Sequence, residues 1–375
     1  MKQKCEMVLC VALLLTFVPA GAAMCMPYWH TGLTACAATV VSDNVDSSAR
    51  LPRGKTPRKL KRAMTRYMQA LADSGQNVQS IMVVQHGKVV AECWRGGARP
   101  DKPHRMWSVS KAFTSAAVGF AVAEGRLRLT DRVVTFFPGE LPPHVCDNLK
   151  AMEVRHLLTM TCGHSTEVQT PWGKDSLEHD WAVDFLAHPV PHAPGTWFRY
   201  NSVGTYMLSA IVQKVTGQRV ADYLWPRLFK PLGIERPEWE VSPQGINTGG
   251  WGLSLKTEDM AKMGLFMLQR GRWNGRQLLP VSWFDASTSA IVLPSTATPG
   301  PGQAAHRPNS RRPDWTQGYG YQLWRCRHNC YRADGSNGQY IIVVPDKDAV
   351  IAVTADLEDM QAELNLIWDV VWEAL

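Results

Sequence analysis

Apolar positions along this chain recur at two spacings, and the spacing changes twice. Leu60, Met64, Tyr67, Met68 and Leu71 repeat at helical intervals behind Thr56-Pro57, an N-cap and first-turn pair, so a helix is predicted to about residue 73. Residues 80–85 and 89–94 are short β-branched runs around His86-Gly87-Lys88, the pattern of a β-hairpin. From about residue 108 the period is helical. Val109, Ala112, Phe113, Ala116, Ala117, Phe120 and Ala121 mark a buried helix closed by Gly125, and Val203, Tyr206, Met207, Ala210 and Ile211 mark another closed at Gly217. Shorter helical stretches are predicted at 148–160 and 180–186, and a longer one at 257–269. Residues 294–313 carry five prolines and little hydrophobicity, which predicts a surface loop. Strand character then returns at 319–324, 339–344 and 349–354, and Met360, Leu364, Ile367, Trp368, Val371, Trp372 and Leu375 share one helical face.

This order predicts an α+β fold. The terminal pieces, about 55–107 and 276–375, combine into an antiparallel sheet flanked by the terminal helices, and a mainly helical part, about 108–275, is inserted between them. A chain of 375 residues that is 45% hydrophobic has enough apolar mass for such a core. The chain contains no internal repeat.

Composition adds a compartment. Lys2 and Lys4 precede an apolar run over 7–18 and a small-residue stretch, Pro19-Ala20-Gly21-Ala22-Ala23, so residues 1–23 read as a signal peptide and the protein is expected to be secreted or periplasmic. The run is too short to span a membrane. Residues 24–54 lack periodicity and are expected to form a flexible leader; within it Leu33-Thr34-Ala35-Cys36 has the look of a lipoprotein cleavage box. The formal charge of +7 is local: Arg50, Arg53, Lys55, Arg58, Lys59, Lys61, Arg62 and Arg66 are eight bases with no acid among them. Most lie off the apolar stripe, so membrane contact is expected only through this basic helix near Arg58 to Arg66, or through a lipid anchor. No nucleic-acid-binding motif accompanies it. Of nine cysteines, Cys5 and Cys10 fall in the signal, and the remaining seven are an odd number, leaving at least one without an intramolecular disulfide partner. Cys326-Arg327-His328-Asn329-Cys330 reads as a loop disulfide or as a fragment of a metal site, and the ligands are too few for a metal, so none is expected.

The chemistry concentrates at Trp107-Ser108-Val109-Ser110-Lys111. Ser108 and Lys111 sit one turn apart on a helix whose burial would lower the lysine pKa. A serine hydroxyl is a poor nucleophile without a base in hydrogen-bond reach, and this spacing supplies one. Tyr200 likewise falls just before a helix start, and Asn247-Thr248-Gly249-Gly250-Trp251-Gly252 is a glycine-rich loop that serves as a turn or lines a cleft.

These motifs, with Val154-Arg155-His156-Leu157-Leu158-Thr159-Met160-Thr161-Cys162-Gly163 and Asp334-Gly335-Ser336-Asn337-Gly338-Gln339, resemble the penicillin-recognising, β-lactamase-related serine hydrolases over roughly 80–354. The resemblance implies a β-lactamase/transpeptidase-like fold with Ser108 as acyl-forming nucleophile, Lys111 as its proton acceptor and Tyr200 as the second-motif acid/base. It implies an oxyanion hole from the backbone N–H groups of Ser108 and Ser336, and substrate contacts from Trp107, Ser202, Asn247, Trp251 and Gly335. It implies no cofactor.

Two departures separate this chain from lactamases and D-alanyl-D-alanine carboxypeptidases. Ser202 stands where an asparagine is usual, and the third motif lacks Lys-Thr-Gly, so that Asp334 is expected to repel an anionic substrate. The pattern is closer to the esterase and 6-aminohexanoate-dimer hydrolase branch. The expected substrate is a small ester or amide, or a peptidoglycan fragment; the alternatives are a D-alanyl-D-alanine carboxypeptidase or β-lactamase-type cell-wall enzyme, or a non-catalytic sensor of wall fragments.

Overall fold

A computed structural model describes residues 50–169, 179–294 and 314–375; the proposed signal peptide, the lipoprotein box and most of the leader lie outside them. A six-stranded antiparallel sheet carries the molecule. Its strands are β1 (Val78–Gln85), β2 (Lys88–Trp94), β3 (Trp324–Arg325), β4 (Tyr331–Gly335), β5 (Gln339–Val344) and β6 (Ala349–Ala355), in the order β2-β1-β6-β5-β4-β3. The two ends of the sequence therefore meet at the sheet centre, where β1 pairs with β6 in a register that sets Val83 opposite Ile351. The β1–β2 turn falls on His86 and Gly87, both at positive φ (51° and 71°), the geometry a tight hairpin demands.

Alternation along the strands divides the core in two. Ile81, Val83, Ile342 and Ile351 face α1 (Arg58–Ser74) and the C-terminal helix, whose first turns are Met360–Leu366; Leu60, Tyr67, Leu71, Ile367 and Trp368 fill that layer. Met82, Val84, Ile341, Val343 and Val350 face the other way, onto α2 (Ser110–Ala123), α3 (Ser202–Thr216) and α4 (Thr257–Leu268), where Phe113 and Phe266 are buried. On α1 the basic side chains Arg58, Lys59, Lys61, Arg62 and Arg66 are exposed, as the stripe predicts.

Several expectations change. Residues 50–54 are no leader: Leu51 is buried, the Gly54 amide donates to the Val89 carbonyl at 2.8 Å, and Arg53 is ion-paired to Glu258 (2.8 Å) and Glu92 (3.0 Å), so this strap seals the outer edge of β2. Helix α4 belongs to the sheet rather than to the helical part. It lies so close that a Cβ on Gly264 would meet Val350 Cγ1 at 2.3 Å. The strand expected over 319–324 shrinks to Trp324–Arg325, while Tyr319 makes only isolated bridges to Val292 and Trp324. The predicted helix over 148–160 divides into Asp147–Ala151 and Val154–Leu158. Cys326 and Cys330 are free thiols at the two ends of a turn closed by Cys326 N donating to Cys330 O at 2.9 Å; no metal-holding cluster occurs among the described residues.

Candidate active site

The start of α2 brings Ser108 and Lys111 together. A 3-10 turn, Trp107–Val109, runs into α2, and Lys111 in the first helical turn is 1% exposed. Its Nζ has three oxygen neighbours: Ser108 Oγ at 2.9 Å, Ser202 Oγ at 3.2 Å and the Gly250 carbonyl at 2.8 Å. Burial strips the ammonium of hydration and outweighs the nearby Glu167 and Asp334 charges, bringing its pKa down to about 7. A neutral amine at this spot has an N–H for the Gly250 carbonyl, an N–H for Ser202 and a lone pair left for the Ser108 proton.

The second motif comes from the start of α3. Asn201 is the N-cap, its Oδ1 accepting from Val203 N (3.1 Å) and Gly204 N (3.2 Å), and the His164 ring holds its amide. This cap sets Tyr200 just outside the helix and Ser202 just inside it. The Tyr200 ring stacks on Trp324 with centroids 5.8 Å apart, and Lys111 Nζ lies 4.8 Å from its ring centre. Its phenol has Ser108 as a hydrogen-bond partner, yet burial first and the Asp334 charge second raise its pKa well above the ordinary value. Tyr200 is thus held protonated. Ser202 turns inward to Lys111, and its amide donates to Glu167 Oε1 at 3.1 Å.

The third motif arrives on β4. A Cβ on Gly335 would lie 2.3 Å from the Met106 carbonyl and 3.1 Å from Trp107 Cβ, so only glycine lets this strand reach the Ser108 turn. Ser336 follows in a three-residue loop. Gln339 braces that loop by donating to the Ser336 carbonyl (3.0 Å) and the Ala355 carbonyl (2.6 Å). Trp107, immediately before Ser108, has φ +48°, a conformation that costs a bulky residue ~1–3 kcal/mol.

Asp334 does not confront the substrate as a bare charge. It is 4% exposed and ion-paired at 2.8 Å with Arg332, which is fully buried, so the expected repulsion fails. Asn247 is no cleft residue either: its Nδ2 donates to the Trp239 carbonyl at 3.1 Å and its Oδ1 accepts from Ala221 N at 3.1 Å, using the side chain to tie two segments together. Trp251 is 7% exposed and packed on Trp181. What the glycine-rich loop contributes is backbone. Gly249 accepts from Thr114 Oγ1 at 2.8 Å and Gly250 from Lys111, and a Cβ on Gly250 would strike the Ser202 carbonyl at 2.7 Å. Sequence reasoning did not single out Gly250, Glu167 or Arg332. A carbonyl has no side-chain signature, and charged residues outside a motif look like any surface group.

A serine and a desolvated lysine one helical turn apart, a buried tyrosine from a second helix start and a glycine-ended strand of an antiparallel sheet packed on the serine turn define the β-lactamase-type serine hydrolase class. The chain belongs to the β-lactamase family, whose sequence pattern matches residues 60–375. It is 25% identical over 222 residues to the 6-aminohexanoate-dimer hydrolase of Paenarthrobacter ureafaciens, covering 55% of this chain and 56% of that protein. It is 27% identical over 167 residues to protein flp of Staphylococcus aureus (strain MW2), covering 42% and 33%. The matched stretch thus spans about half or less of the length of either relative. Among solved structures, a putative 6-aminohexanoate-dimer hydrolase from Bacillus anthracis superposes with a TM-score of 0.65 at 21% identity, over 82% of this chain and 80% of that one. EstCE1, a hydrolase with promiscuous acyltransferase activity, gives 0.66 at 17% identity over 84% and 99%. Both share the fold.

Proposed function

We propose that this protein is a secreted or periplasmic serine hydrolase that cleaves an ester or amide bond of a small substrate through an acyl-enzyme on Ser108. The observation that carries the reading is the Lys111 amine, buried, 2.9 Å from Ser108 Oγ and poised near neutrality. Neutral Lys111 takes the Ser108 proton as Oγ attacks the carbonyl carbon. The oxyanion forms against the backbone N–H groups of Ser108 and Ser336. Tyr200, kept protonated by burial, donates to the leaving oxygen or nitrogen and is reprotonated from Lys111. Water then attacks the acyl carbon, giving its proton to the same pair, and Ser108 regains its own as the acid leaves.

The Asp334–Arg332 pair removes a repulsive argument against anionic substrates, but no lysine stands in the third motif to bind a carboxylate. Uncharged esters and amides are therefore the favoured class over penicillins and peptide C-termini. A fluorophosphonate probe should label the native protein and leave Ser108→Ala unlabelled; equal labelling of both refutes the reading. p-Nitrophenyl esters and uncharged anilides should turn over faster than nitrocefin or D-alanyl peptides, and the reverse order would return the assignment to a cell-wall enzyme.

A further inference from the structure

The residue before the nucleophile is held in a left-handed backbone conformation by groups that the hydrolytic machinery does not itself use. Trp107 has φ +48°. Such a conformation persists in a bulky residue only where its surroundings over-determine it. From inside, the Trp107 carbonyl accepts the Ser110 hydroxyl at 2.6 Å, and β4 presses its glycine against the turn. From outside, the Arg105 guanidinium covers the indole, its Cζ 4.1 Å from the ring centre. Arg105 Nη2 in turn is ion-paired with Glu240 Oε1 at 2.7 Å.

Glu240 is itself fixed by the loop that holds Lys111. Its amide donates to the Gly252 carbonyl and its carbonyl accepts from Thr248 N, both at 3.0 Å. A Cβ on Gly252 would sit 2.6 Å from Glu240 Cβ, so glycine there is what admits the side chain. One segment, residues 240–252, therefore grips both ends of the Ser108 turn: Gly250 O on the Lys111 amine, and Glu240 through Arg105 on the Trp107 indole.

We propose that Arg105 and Glu240 are positioning residues for the nucleophile, acting in series through Trp107 to hold the backbone that presents Ser108. The inference rests on the hydrolase reading and deepens it. The pair is half-exposed, with side chains 38% and 45% accessible, so its ion pairing adds little to global stability. A positioning role and a merely structural one thus part company. Loss of the clamp lets the indole and the Trp107 backbone relax, which shifts Ser108 relative to Lys111 without unfolding anything.

The test is the second-order rate of fluorophosphonate labelling, alongside kcat and KM on a p-nitrophenyl ester, for full-length Arg105→Ala, Arg105→Lys, Glu240→Ala and the double alanine variant. Arg105→Ala should slow labelling and kcat about tenfold, leave KM within about threefold, and keep the melting temperature within about 2 °C of wild type. Arg105→Lys, retaining a cation over the indole, should recover part of the loss. Because the two act in series, the double variant should be no slower than Arg105→Ala. Labelling of Arg105→Ala at the wild-type rate overturns the proposal, as does a rise in KM with kcat unchanged, which would make Arg105 a substrate-binding group. If Arg105→Ala folds poorly, Glu240→Ala carries the same expectations and decides the matter. Failure of the underlying hydrolase reading looks different, since Ser108→Ala would then label like the native protein.

Discussion

The carbonyl of Gly250 accepts a hydrogen bond from Lys111 Nζ at 2.8 Å across 139 residues of sequence. That contact fixes one of the two N–H bonds of a neutral lysine and leaves its lone pair for Ser108. The helix turn supplies the pair, and the distant loop orients it.

The pH dependence of acylation follows from Lys111. Its folded-state pKa lies near 7 rather than 10.5, so the basic form grows as pH rises through 7. Labelling of Ser108 should climb about tenfold from pH 6 to pH 8 and then level off. Lys111→Arg, which keeps the charge but cannot deprotonate, should be as inactive as Lys111→Ala. A profile flat from pH 5.5 to 9 would remove Lys111 as the base.

Gly250 should tolerate no side chain. A Cβ there would lie 2.7 Å from the Ser202 carbonyl and 3.5 Å from Lys111 Nζ, so the loop must withdraw. Gly250→Ala is expected to lower kcat at least tenfold while a control at Gly139, whose Cβ would meet nothing within 4 Å, changes kcat less than twofold. Steady-state kinetics on the two variants checks this.

The Arg332–Asp334 pair is sealed, so breaking one side should be worse than its surface counterparts suggest. Arg332→Leu leaves an uncompensated carboxylate beside Tyr200 and should cost ~3–5 kcal/mol in denaturant unfolding. Arg99→Leu, on an exposed pair with Asp101, should leave the denaturation midpoint close to wild type.

Glu363 gives stability a pH dependence unrelated to catalysis. Fully buried and accepting from the Tyr67 hydroxyl, it is pushed by desolvation to about 7 against 4.5 when free. The folded state holds its proton between those values and the unfolded state does not. The Glu363 contribution is therefore complete below about pH 4.5 and is lost as pH rises through 7, a change of ~3 kcal/mol. Glu363→Gln should flatten that decline, measured by urea midpoints at pH 5, 6 and 8.

The sequence by itself determined the elements and the family. Helical stripes such as Leu60, Met64, Tyr67 and Leu71, and the strand runs at 80–85, 89–94, 339–344 and 349–354, are local properties of the sequence, and they became the helix face and the strands expected of them. The Ser108 and Lys111 spacing is local for the same reason, since one helical turn places the two together. Tertiary structure alone decided what those residues meet. Whether Asp334 repels a substrate or is neutralised depends on its pair with Arg332 being sealed from solvent, with Trp315 and Trp324 packed against the guanidinium. Whether the Asn247 amide lines a cleft or joins two segments depends on backbone groups at Trp239 and Ala221. The carbonyl that orients Lys111 and the carboxylate that holds Arg105 come from a loop more than a hundred residues away. Contacts of that kind leave no periodic trace, because they are set by chain packing and by backbone atoms common to every residue.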